Sequence, residues 1–132
     1  MTIASVRDQF NTVLAAISSI KQVHDQVPDA AGKMPCTILS LENIEPHATL
    51  TGSQTQSWRI LLLLAKRGAK AAVDDLDPYL APSGSDSMQA AIEGGTIGDD
   101  ATLVTIENIG HLVYRDTTFI GAEFVVEVIE TG

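Results

Sequence analysis

The sequence predicts an α+β domain: a mostly antiparallel sheet of four to five strands, with an N-terminal helix and two further helices packed on one face. Three observations predict it. An apolar stripe at helical spacing opens the chain. Two long segments, Trp58–Ala65 and Phe119–Glu130, carry side chains in the two-residue alternation of a strand. The segments run helix, two strands, two helices, three strands, so helices do not alternate with strands as a parallel βαβ layout requires. The length, 132 residues, suits one domain over 1–132, large enough to bury a real core.

The elements follow in order. Ile3, Val6, Phe10, Val13, Leu14, Ile17 and Ile20 recur every three or four residues, which predicts an amphipathic helix over Thr2–Lys21. Gln22–Pro35 holds two prolines and Gly32 and reads as a loop. Cys36–Leu41 is apolar and reads as a strand. Asn43–Ser57 is polar, with Pro46 and Gly52, and reads as a long loop with room for a short strand near Ala48–Thr51. In Trp58–Ala65, Trp58, Ile60, Leu62 and Leu64 share one face while Leu61 and Leu63 take the other. Apolar residues on both faces predict a central strand, or one whose second face a partner covers.

Lys66–Gly68 ends that strand. Ala69–Leu80 reads as a helix that Pro78 kinks or restarts, because proline lacks the N–H a helix interior needs. A second short helix, Ser87–Glu93, follows; Asp86 and Gln89 form a weak capping box before it, and Gly94-Gly95 ends it. Ala101–Glu107, Gly110–Arg115 and Phe119–Glu130 read as strands, with Asp116-Thr117-Thr118 turning the last two into a hairpin. In the last strand Ile120, Ala122, Phe124, Val126 and Val128 make a continuous apolar face, while Glu123, Val125 and Glu127 point the other way.

Composition narrows the function. The net charge is −9, and the eight Lys and Arg are scattered apart from Lys66-Arg67-Gly68-Ala69-Lys70. Nucleic-acid binding needs a basic stripe to neutralise phosphates, so specific nucleic-acid binding is disfavoured. The longest apolar run, Ile60–Ala65, falls far short of a membrane span of about 20 residues. No basic segment followed by an apolar block opens the chain, so no secretory signal is read and folding in the cytoplasm is expected. The single Cys36 cannot form an internal disulfide and reads as a buried small hydrophobe.

Chemistry-bearing patterns are sparse. His24, His47 and His111 stand far apart in sequence with none of the close ligand pairs of a zinc site. Asp74, Asp75 and Asp77 read as a solvated helix face, and Gly98-Asp99-Asp100 lacks the alternating ligands of a calcium loop. Gly94, Gly95 and Gly98 follow a helix rather than a strand, so they read as a helix stop and not a phosphate loop. Ser83-Gly84-Ser85 joins two helices, which is not a nucleophile elbow. No catalytic residue, metal or cofactor is therefore expected. A small-ligand-binding or enzymatic α+β domain remains the alternative of a different class; it requires a pocket with convergent polar groups.

A set of motifs in fixed order carries a resemblance. Trp58 opens a Trp-x-Ile-x-Leu-x-Leu strand. Leu76-Asp77-Pro78-Tyr79-Leu80 and the turn Pro82-Ser83-Gly84 come next. Ser87-Met88-Gln89-Ala90-Ala91-Ile92 and the strand Phe119–Val128, with Gly121-Ala122-Glu123-Phe124 inside it, complete the set. This order resembles the tail terminator (tail completion) proteins of long-tailed bacteriophages and related prophages. The opening helix and Met34-Pro35-Cys36-Thr37-Ile38 stand where that family has its first helix and strand, so the resemblance covers almost the whole chain.

The resemblance implies a virion structural protein of the tail, assembled in the host bacterial cytoplasm. It implies a ring, commonly hexameric, that ends tail tube polymerisation and offers a head-joining surface. Implied partners are copies of itself, the tail tube protein and a head-completion or neck protein, with DNA passing through without specific binding. A neck or head-completion ring is the close alternative. A cyclic ring needs two different patches per subunit. The candidates for the subunit interface are Arg59, Leu61, Leu63, Arg115, Glu123, Val125 and Glu127, and a docking loop is expected around Glu45, His47, Thr51 and Gln54.

Overall fold

The computed structural model describes residues 3–17, 20, 22–24, 35–46, 54–66, 76–95, 97, 100–110, 112–114 and 117–130. It is an α+β fold. Its elements are α1 (Ile3–Ala15), β1 (Gln22–His24), β2 (Cys36–Pro46), β3 (Gln54–Lys66), α2 (Asp77–Leu80), α3 (Met88–Gly94), β4 (Asp100–Glu107), β5 (Leu112–Tyr114) and β6 (Thr117–Glu130). One sheet runs β1-β2-β3-β6-β4, with β5 also paired to β6. Every pairing is antiparallel except β1 with β2, which is parallel. β3 and β6, the two long alternating segments, lie side by side at the centre.

The opening helix is shorter than the stripe predicts. It ends at Ala15, after which the Ile17 and Ile20 amides each donate three residues back, at 3.1 Å, tightening the chain out of the α-helix. The stripe is nonetheless the core face: Val6, Phe10, Leu14, Ile17 and Ile20 are all buried. Phe10 meets Trp58 with ring centroids 5.4 Å apart and planes tilted by 46°. Opposite the helices stand Ile60 and Leu62 of β3 and Ala122, Phe124, Val126 and Val128 of β6. Full burial of each large side chain stabilises the fold by roughly 1.5–3 kcal/mol.

The structure departs from the sequence expectations at several elements. Asn43–Ser57 is not a long loop: β2 continues to Pro46 and β3 starts at Gln54, with Asn43↔Ser57, Ile44↔Gln56, Glu45↔Thr55 and Pro46↔Gln54 in register. Cross-strand backbone bonds override the polar composition, and Gln56 is buried, its side-chain oxygen accepting from Trp58 Nε1 at 2.8 Å. The expected strand near Ala48–Thr51 lies outside the described residues. Gln22–His24, read as loop, is a strand carried by its pairing to Cys36–Ile38.

The cap of α3 is Ser87 rather than Asp86; its Oγ accepts from the Ala90 N–H at 3.1 Å and donates to the Ala81 carbonyl at 2.5 Å. The short strand starts at Leu112, not Gly110, and Thr117 already pairs with Tyr114, so the turn does not reach Thr118. Of the predicted helix Ala69–Leu80, only Leu76–Leu80 lies among the described residues; Asp77–Leu80 is helical and Pro78 sits in its first turn, where its missing N–H costs nothing.

Candidate docking surface

Helices α1, α2 and α3 contribute to the same core cluster, on the Trp58–Ile60–Leu62 side of the sheet. The other side divides in two. At one end Cys36, Ile38, Leu63, Leu112 and Phe119 form a second buried cluster, with Leu61 partly buried against it. There desolvation pushes the Cys36 thiol up to about 11.

Beyond that cluster the face is open, and the strand register lays it out as a grid. The row at the border of that cluster is Ile38, Leu61, Glu123 and Glu107 across β2, β3, β6 and β4, with Ile38 still buried. The next rows are Ser40, Arg59, Val125, Thr105, then Asn43, Ser57, Glu127, Thr102, then Glu45, Thr55, Ile129, Asp100. Neighbours in a row are about 4.8 Å apart and rows about 7 Å apart.

Arg59 organises the middle of the grid. Its guanidinium donates to Glu123 Oε2, and its Nε lies 3.9 Å from Glu42 Oε1. Ser40 Oγ donates to the same Glu42 oxygen at 2.8 Å. A bulge in β2 between Leu41 and Asn43 places Glu42 there. Arg59 is 35 % and Glu123 13 % exposed, so the pair is only partly screened by water, and removing either partner would leave the other charge half-buried without it. Glu107, out on β4, accepts from Thr105 Oγ1 at 3.2 Å.

The predicted interface residues are therefore partly gathered. Arg59, Leu61, Glu123, Val125 and Glu127 share the face. Leu63 has the same parity but is fully buried in the second cluster, so it offers no surface. Arg115, His47 and Thr51 lie outside the described residues. Glu45 and Gln54, expected in a loop, sit on paired strand positions instead, and Glu45 is exposed in the outermost row. Sequence reasoning missed Ser40, Glu42, Thr105 and Glu107. The alternation Cys36, Ile38, Ser40 could have flagged the first; the others depend on register and on a bulge.

A groove on the helical side has no counterpart in the sequence reading. It has a volume of about 440 Å³ and runs between α1 and α3, lined among others by Thr12, Val13, Ile17, Ser87, Ala91 and Gly95. Gly95 permits the close approach of the helices, since a Cβ there would lie 2.6 Å from Val13 Cγ2. On the same side Glu93 Oε2 accepts the Leu103 N–H at 3.1 Å, occupying one donor of the edge strand β4.

Among the described residues no group of three His, Cys, Asp or Glu side chains is placed to hold a metal ion. Among the same residues no helix is long and apolar enough to cross a membrane. No family model matches the chain, and no curated protein matches it at a significant level.

Proposed function

We propose that the chain is a ring-forming tail terminator: a structural protein at the head-proximal end of a phage tail that stops tube polymerisation and presents the surface the head joins. The observation that carries this reading is the asymmetry of the sheet. Its two longest strands are sealed by helices on one side and leave a broad, ordered, half-open surface on the other. Such a surface suits assembly with other proteins. The ordered motifs from Trp58 to Val128 and the α+β architecture support the same reading. The partners proposed are copies of this chain, the tube protein and a head-completion protein. The net charge of −9 lets DNA pass a ring without adhering.

Electron microscopy of tails assembled without the chain tests the proposal. Overlong tubes are expected. Tubes of normal length that lack heads would move the role to a neck protein, and unaltered, head-bearing particles would exclude both.

A further inference from the structure

We propose that the open half of the sheet face is a docking surface for a cationic protein surface belonging to a partner other than a second copy of this chain. The inference goes beyond the tail reading and does not depend on it. Among the described residues of this open half, Glu42, Glu45, Asp100, Glu107, Glu123 and Glu127 stand with one cation, Arg59, a balance of −5. The sheet fixes the backbone positions of these rows, so the charge pattern is set before binding and only the exposed side chains remain to be ordered.

Arg59 already engages Glu42 and Glu123. What meets a partner is the exposed outer set, Glu45, Asp100, Glu107 and Glu127. Between these carboxylates lie Val125 and Ile129, the latter 40 % exposed and one of the few large apolar side chains left in water. Carboxylates at sheet spacing around small apolar islands fit lysine and arginine side chains. Their aliphatic stems lie along Val125 and Ile129 while their charged ends reach the acidic rows. The same face of another copy brings the same carboxylates, and DNA its phosphates, so neither matches this face; a ring of copies would close through other patches of the subunit.

The test is an NMR titration of the isotope-labelled full chain with an oligolysine peptide, at low salt and at about 0.15 M, where the Debye length is about 8 Å. Expected shifts concentrate on the amides of Ser57, Arg59, Thr102, Thr105, Val125 and Glu127, and fade with salt. The double variant Glu107→Lys/Glu127→Lys is expected to weaken binding roughly tenfold or more. If that variant does not fold, Glu107→Gln/Glu127→Gln, which keeps the side-chain shape, is expected to weaken it in the same direction. Shifts spread equally over Asp8, Asp77, Asp86 and Glu93 on the helical side would overturn the proposal, as would affinity unmoved by the foldable variant. Concentration-dependent shifts of the same face without peptide would also overturn it, by making a second copy the occupant. Failure here leaves the microscopy of tails untouched, so the two readings fail separately.

Discussion

Trp58 and Arg59 are neighbours in one strand and live in different environments. Trp58 is fully buried, packed at a tilt against Phe10 and hydrogen-bonded to Gln56, whereas Arg59 reaches a half-wet face and is held by two carboxylates. The same contrast runs along β6, where Phe124 is buried and Glu123 and Val125 beside it are only partly so. The helix-covered face, and the sealed end of the other, carry folding free energy through packing. The open remainder carries a charge pattern instead. The alternation of the strand is what allows the two tasks to be separated residue by residue.

Substitutions on the covered face should cost the most stability. Phe124→Ala is expected to cost about 3–5 kcal/mol in chemical denaturation, the range for emptying an aromatic site in a core. Gly121→Ala comes next, because a Cβ there would lie 2.0 Å from the Leu62 carbonyl oxygen, which cannot rotate aside; a loss of roughly 3 kcal/mol is expected. Ser87→Ala removes the cap of α3 and its bond to Ala81, and about 1 kcal/mol should be lost by the same measurement. Glu127→Gln on the open face is expected to change stability by no more than about 0.5 kcal/mol. An open-face cost as large as that of Phe124→Ala would erase the distinction.

The end of the open face that is sealed can be sharpened by pH. Burial raises the Cys36 thiol above its ordinary value of 9.0 to about 11, so the folded chain keeps its proton longer than the unfolded one. The resulting stability is complete below pH 9 and is lost as pH climbs towards 11. Denaturation midpoints of the chain and of Cys36→Ala should therefore converge over that window. Parallel curves would show the thiol to be wet.

Much of the architecture is legible in the sequence because it rests on periodicity. The stripe from Val6 to Ile17 and the alternations through Ile60 and Phe124 state directly which side chains turn inward. What is not legible depends on partners distant in sequence. Gln22–His24 becomes a strand only because Cys36–Ile38 lies beside it, and Thr55 and Gln56 look like loop residues until their pairing is known. The break between β4 and β5 turns on Asn108 and Gly110 at positive φ, 53° and 92°, a local choice that alternation cannot report. On the open face, Arg59, Glu123, Val125 and Glu127 follow from alternation alone. Glu42 and Glu107 needed a bulge and a register.

The mass of the purified particle in solution, measured by light scattering with and without tail tube protein, tests ring formation. A discrete ring, either alone or on addition of the tube protein, is the predicted result. A chain that remains a monomer under both conditions would contradict it.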